Sequence, residues 1–149
     1  MADKFLLLVE DNPDDVELTI MAFAKAGIQI RVQVARDGAE ALGLLFGAPG
    51  KVPASLPEIV LLDLNLPRVS GIDVLARIRA NERTKLLPVI ILTTSDEEKD
   101  RQECYRLGAS SYIIKPVEFA EFNKVVKRLG EYWLSLNAGP GQQCAAGES

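Results

Sequence analysis

Apolar residues run along this chain in two rhythms, and their alternation predicts the fold. Phe5-Leu-Leu-Leu-Val9, Ile59-Val-Leu-Leu62 and Val89-Ile-Ile-Leu92 are unbroken apolar runs of strand length, the pattern of strands covered on both faces. Ile30 to Ala35 alternates more and reads as a strand nearer an edge, and Tyr112-Ile-Ile114 as a short fifth strand. Between these runs the period lengthens to that of a helix. Asn12-Pro13-Asp14-Asp15 starts the first helix, with Asn12 as cap, Pro13 at the first position and acids facing the dipole. Val16, Ile20, Phe23 and Ala24 mark its inward face, and Gly27 stops it.

Gly38 to Phe46 reads as a second helix with Ala41, Leu42 and Leu45 inward, and Ile72, Val74, Leu75 and Ile78 form the stripe of a third ending near Asn81. Asp96 to Leu107 is a polar fourth helix with few anchors, Tyr105 and Leu107 among them, and is the expected mobile element. The last helix spans about Val117 to Leu136, carrying Phe122, Val125, Val126, Leu129, Trp133 and Leu136. Gly47 to Pro57 fits neither rhythm and is a long loop, functional or inserted. Residues 137–149 are a Gly, Ala, Gln and Ser mixture expected to be disordered, so the folded domain is 1–136. Five strand and helix alternations joined by short connections predict a doubly wound, open parallel α/β sheet with helices on both faces.

Composition narrows the function. With 149 residues, 48% apolar and 26% charged, the chain suits one domain with a normal core. Net charge of -4 and scattered basic residues leave no footprint for a nucleic acid. Cys104 and Cys144 are too few for a disulfide framework or zinc site, which suits a reducing, cytoplasmic setting. Neither a signal peptide nor a stretch of membrane-spanning length is expected. The chain has no histidine, so any chemistry must rest on carboxylate, hydroxyl, lysine and an oxygen-preferring metal.

The three apolar runs end in polar groups: Glu10 and Asp11 after the first strand, Asp63 after the third, and Thr93, Thr94 and Ser95 after the fourth. Ligands of open parallel sheets bind at the carboxyl ends of strands, so these groups converge on one crevice if strands one and three adjoin, as in the flavodoxin-like order 2-1-3-4-5. Two charges about 4 Å apart repel by roughly 4 kcal/mol at an effective dielectric of about 20, so three carboxylates there require a cation or a shared proton. Mg²⁺ suits an all-oxygen donor set, and Lys115 after the fifth strand is the alternative neutraliser. With Mg²⁺, Lys115 and the Thr93 hydroxyl beside it, Asp63 has what phosphoryl transfer to a carboxylate needs: an ionised nucleophile, charge neutralisation and no general base.

The chain resembles the receiver domains of two-component response regulators. The resemblance covers about residues 4 to 136 and rests on Glu10-Asp11, on Asp63 with Pro67 and Gly71 behind it, on Thr93, and on Lys115-Pro116. It implies that Asp63 is the phosphoacceptor. Asp11, Asp63 and the backbone carbonyl of Asn65 would bind Mg²⁺, with Glu10 acting through water. Lys115 would hold the phosphoryl group, and Thr93 and Tyr112 would be the switch pair. A cis peptide is implied before Pro116. The expected donor is a sensor histidine kinase on another protein, and the output a change in the surface of helix four, strand five and helix five.

Glu10-Asp-Asn-Pro-Asp14, the long loop, Asp63-Leu-Asn-Leu-Pro67 and Leu92-Thr-Thr-Ser95 narrow the resemblance to stand-alone regulators paired with phytochrome-type kinases. Such a regulator acts by binding a downstream protein, by forming a homodimer or by passing the phosphoryl group on; Trp133, Leu134 and Leu136 either serve a dimer or fold back on the body. Rival readings fit less well. A haloacid-dehalogenase-type phosphatase wants its nucleophile after the first strand and an acid where Asn65 stands. A nucleotide or flavin binder needs a phosphate loop after the first strand, where Glu10-Asp11-Asn12 would repel it. An inactive receiver kept for binding has no need of the intact acidic set.

Overall fold

Neighbouring residues of the central strands feed two separate cores. Leu7, Val9, Val60, Leu62, Val89 and Ile91 point to one, and Leu6, Leu8, Ile59, Leu61 and Ile90 to the other, as the period of two along a strand requires. The computed structural model of the protein describes residues 4–48, 50–53 and 55–136. The expected tail at 137–149 lies outside the described residues, as do the side chains of residues 135 and 136.

The elements follow in the order β1 (Phe5–Val9), α1 (Pro13–Lys25), β2 (Arg31–Ala35), α2 (Gly38–Phe46), β3 (Ile59–Leu62), α3 (Gly71–Ala80), β4 (Val89–Thr93), α4 (Glu98–Leu107), β5 (Ser111–Ile114) and α5 (Phe119–Gly130). The strands form one parallel sheet in the order β2-β1-β3-β4-β5, the flavodoxin-like arrangement. Ala41 and Leu45 of α2, Val74, Leu75 and Ile78 of α3 and Cys104 of α4 cover one face. Val16, Ala22 and Phe23 of α1 with Phe122, Val126 and Leu129 of α5 cover the other. The connection from β2 crosses past β1 to β3, so the winding of the sheet reverses between β1 and β3 and opens a crevice there, between α1 and α3, where the site lies.

Local chemistry sets the helix ends. Asn12 caps α1 by accepting from the Asp14 and Asp15 amides at 2.9 and 3.3 Å, Asp37 caps α2 through the Glu40 amide at 2.7 Å, and Ser70 caps α3. Gly71 at the start of α3 allows close approach, since a Cβ there would lie 2.1 Å from the Asp63 carbonyl oxygen. The long loop is pinned: Arg83 donates to the Pro53 carbonyl at 2.8 Å, and the Lys51 amide closes a turn onto Ala48.

Four expectations need correction. On α1 the buried residues are Val16, Thr19, Ala22 and Phe23, while Ile20 and Ala24 are exposed; Thr19 tolerates burial because its hydroxyl donates to the Asp15 carbonyl at 2.7 Å. The fourth helix starts at Glu98 rather than Asp96, and its buried anchor is Cys104, with Tyr105 turned outward. The last helix is regular only to Gly130 and continues as a π-helical turn over Glu131–Leu136, whose wider i to i+5 spacing lays Trp133 and Leu134 against the α1–α5 core. Among the described residues no peptide bond is cis, so the bond before Pro116 is trans, the form X-Pro bonds favour by about 0.5–1 kcal/mol.

Candidate functional site

β1, β3 and β5 each deliver one charged residue to the same point beyond the sheet. The backbone of Glu10 continues the ladder by donating to the Ala35 carbonyl at 2.9 Å, that of Asp63 by donating to the Val9 carbonyl at 3.1 Å, and that of Lys115 by donating to the Thr93 carbonyl at 2.7 Å. The side chains are therefore aimed by the sheet itself and not by mobile loops. Glu10, Asp63 and Lys115 are all buried.

Their charges meet in one network. The Lys115 ammonium makes a short ion pair with Glu10 Oε1 and reaches Asp63 Oδ2 at 3.3 Å and Asp15 Oδ2 at 3.0 Å. The remaining carboxylate oxygens accept backbone amides: Glu10 Oε2 from Asn12 at 3.2 Å, and Asp63 Oδ1 from Asn65 at 3.3 Å. Burial is the main cause that lifts the Glu10 carboxyl to about 7; the Lys115 hydrogen bond opposes the rise and the charge of Asp63 adds to it. Burial works against the Lys115 ammonium, yet Glu10, Asp63 and Asp15 more than offset it and hold its pKa above the ordinary lysine value.

Asp11 completes the acidic side. One oxygen from each of Glu10, Asp11 and Asp63 falls within 4.8 Å of the others, with Asp11 exposed at the mouth. Three hard oxygen donors, no nitrogen or sulfur, and one open side suit a divalent cation that keeps part of its water shell. Lys115, itself buried, is paired with Glu10 and Asp63 of the same cluster, so the lysine considered from sequence as a neutraliser is in place beside these donors.

The remaining expected residues fall around this centre. Thr93 ends β4 fully buried, and its hydroxyl oxygen accepts the Ser95 amide at 3.4 Å. Tyr112 is half-buried on β5 and donates to the Ser95 carbonyl at 2.9 Å. Asn65 is exposed just beyond Asp63, and Pro116 follows Lys115, half-buried. One participant, Asp15, escaped the sequence reading. Asp15 was assigned only to the helix dipole, although it stands four residues past Asp11 on the turn that faces the strands. Ser95 links outward to α4, its hydroxyl donating to Asp100 Oδ2 at 2.6 Å and accepting the Glu97 amide at 3.4 Å.

Comparison with known proteins agrees with this geometry. Residues 6–127 match the family model of the response regulator receiver domain. The chain is 42% identical over 140 residues to the probable methanogenesis regulatory protein FilR2 of Methanothrix harundinacea, covering 93% of this chain and 90% of that one. Response regulator Rcp1 of Synechocystis is 34% identical over 131 residues, covering 88% of this chain and 89% of Rcp1; the structure of its Mn(2+)-bound form superposes with a TM-score of 0.84 over 93% of this chain and 99% of that one. The phosphorylated cyanobacterial phytochrome response regulator RcpA has a TM-score of 0.87 at 38% identity, covering 94% of this chain and all of that one (100%). No described helix is long and apolar enough to cross a membrane. The sheet order, the acidic cleft faced by a buried lysine and the match over residues 6–127 lead to one conclusion: this chain belongs to the response regulator receiver domain family.

Proposed function

We propose that the protein is a phosphorylation-dependent switch that takes a phosphoryl group onto Asp63 from a histidine kinase, of phytochrome type, and acts on other proteins through α4, β5 and α5. The observation that carries this reading is the buried Lys115 ammonium, shared between Glu10 and Asp63 at the carboxyl rim of the sheet. A lysine so placed can neutralise a phosphoryl group as it arrives on Asp63. The chain has no histidine, so the phosphohistidine belongs to the partner. The phytochrome assignment draws support from the likeness to RcpA.

In the transfer, an oxygen of Asp63 attacks phosphorus in line with the departing imidazole. The P–N bond breaks as the P–O bond forms, and the imidazole leaves with that electron pair and is protonated by solvent. The product is an acyl phosphate, reached without a general base because the nucleophile is already ionised. Asp11, Asp63 and the Asn65 carbonyl would hold Mg²⁺, with Glu10 acting through water, and the bound ion supplies positive charge to the phosphoryl oxygens. Lys115 takes a second phosphoryl oxygen. The same residues would accelerate hydrolysis of the acyl phosphate when water enters in line.

The added group brings about -1.5 to -2 charges and three acceptor oxygens. Thr93, whose hydroxyl makes a single long 3.4 Å contact, with the Ser95 amide, among the described residues, would turn toward it. Ser95 and Tyr112 would carry that movement to α4 and β5. The surface beyond already exposes Ile114, Val117 and Phe119, apolar groups on which a downstream protein or a second copy could close.

Intact-mass measurement after incubation with acetyl phosphate and Mg²⁺ tests the reading. One phosphoryl group is expected on the parent and none on Asp63→Asn. An unlabelled parent, or equal labelling of the variant, sinks it.

A further inference from the structure

We propose that Asp15 is a positioning residue that restrains Lys115 in the resting protein and so slows phosphoryl uptake. The proposal rests on Asp63 being the phosphoacceptor. A lysine ammonium has three N–H donors and no more, and all three have carboxylate partners: Glu10, Asp15 at 3.0 Å and Asp63 at 3.3 Å. A phosphoryl oxygen can therefore be gripped only if the ammonium loosens one existing bond.

Exposure decides which bond yields. The side chains of Glu10 and Asp63 are 5% and 8% exposed, that of Asp15 25%. Freeing a carboxylate is cheapest where water can take the place of the lost partner. Asp15 also lies in the first turn of α1, where the helix dipole stabilises its charge without help from lysine. Glu10, by contrast, would be left charged in a dry pocket.

The contact is built into the fold. The Asn12 side chain accepts the Asp15 amide at 3.3 Å, the Thr19 hydroxyl donates to its carbonyl at 2.7 Å, and Val16 next to it is buried in the core. Asp15 is thus delivered by a fixed helical turn to a lysine that is itself only 5% exposed. Until released, it holds one donor of Lys115 and adds a negative charge beside the path of an anionic group.

The test compares initial labelling rates with acetyl phosphate at saturating Mg²⁺. Asp15→Asn and Asp15→Ala are expected to label Asp63 about fivefold faster than the parent, the scale of one partly exposed charge-assisted bond. Asp14→Asn removes the same charge from an exposed neighbour and is expected to stay within about twofold of the parent. A rate for Asp15→Asn equal to or below the parent's overturns the proposal, as does an equal gain in Asp14→Asn. The ¹⁵N resonance of the Lys115 ammonium in the unphosphorylated protein is the second readout. It should shift in Asp15→Asn and hold in Asp14→Asn, and an unmoved resonance in Asp15→Asn refutes the contact. If the parent itself does not label, the fault lies with the reading of Asp63, while the resonance still decides the role of Asp15.

Discussion

The Tyr112 hydroxyl donates to the carbonyl oxygen of Ser95 at 2.9 Å, joining β5 to the loop that leads into α4. Ser95 in turn touches the Thr93 hydroxyl through its amide and Asp100 through its side chain, so a continuous polar path runs from the rim of the site to the helix. Tyr112→Phe removes one neutral bond from a half-buried place, which costs about 1 kcal/mol. The expected result is a matching fall in urea-derived stability, with faster amide exchange in residues 95–101 and unchanged exchange in β1 and β3. Exchange unaltered near Ser95 would show that the path does not restrain the loop.

Cys104 gives a chemical view of α4, because it is the helix's one buried residue. Burial first, then the charges of Asp100 and Glu103, push its thiol up from 9.0 to about 11. The native thiol is both covered and protonated at pH 8, so iodoacetamide should reach it only when α4 opens. Peptide mapping should find Cys104 alkylated slowly in the parent and several-fold faster in Ser95→Ala, which lacks the bond to Asp100. The pH dependence has a definite sign. Between about 9 and 11 the native state keeps a proton that the unfolded chain loses, so stability falls as pH rises through that window. Cys104→Ala should show a shallower fall in Tm over the same range, and parallel curves would contradict the shift.

Arg68, in the loop between β3 and α3, adopts φ 69°, a left-handed conformation that costs a non-glycine residue roughly 1–2 kcal/mol. Its ion pair with Asp37 at 3.4 Å offers little in return, since the arginine side chain is 65% exposed. Arg68→Gly relieves the strain but adds freedom to the unfolded chain, so a net gain of about 0.5–1 kcal/mol is expected. A β-branched residue should do worse than arginine. The urea midpoints should rank Gly above Arg above Val at this position, and any other order removes the strain argument.

The parts legible from sequence are those where one physical rule acts alone. Leu6 to Val9, Ile59 to Leu62 and Val89 to Leu92 are apolar without interruption because both sheet faces are covered, and their strand length separates them from the longer helical stripes. Glu10, Asp63 and Lys115 stood out because each follows a strand directly. What escaped depended on two rules in competition. Thr19 is polar yet buried because the helix backbone satisfies its hydroxyl, so the inward face of α1 was phased one residue late. On α4 so few apolar residues are present that the pattern hardly fixes the helix phase; of the expected anchors Leu107 packs on the core while Tyr105 faces outward, and the buried position is Cys104. Asp15 had a sufficient local reason to exist at a helix start, which concealed a partner in Lys115 one hundred residues away.

Lys115 and a divalent cation held by Glu10, Asp11 and Asp63 would neutralise the same carboxylates, which would make them partial substitutes. Lys115→Met keeps most of the aliphatic stem and removes only the charge. Glu10 and Asp63, 5% and 8% exposed, are then left facing one another, a loss of about 3–5 kcal/mol in chelator-treated buffer. Mg²⁺ should recover more of this than it adds to the parent, because in the parent the ammonium occupies oxygens of Glu10 and Asp63 that the ion would otherwise attract. A ligand at about 100 times its Kd stabilises by about 2.7 kcal/mol, so the metal-dependent rise in Tm should be several degrees and clearly larger in Lys115→Met. The check is thermal unfolding of both proteins with and without MgCl₂. Equal shifts would mean that the ion does not share these carboxylates with Lys115, and would move the metal away from Glu10 and Asp63.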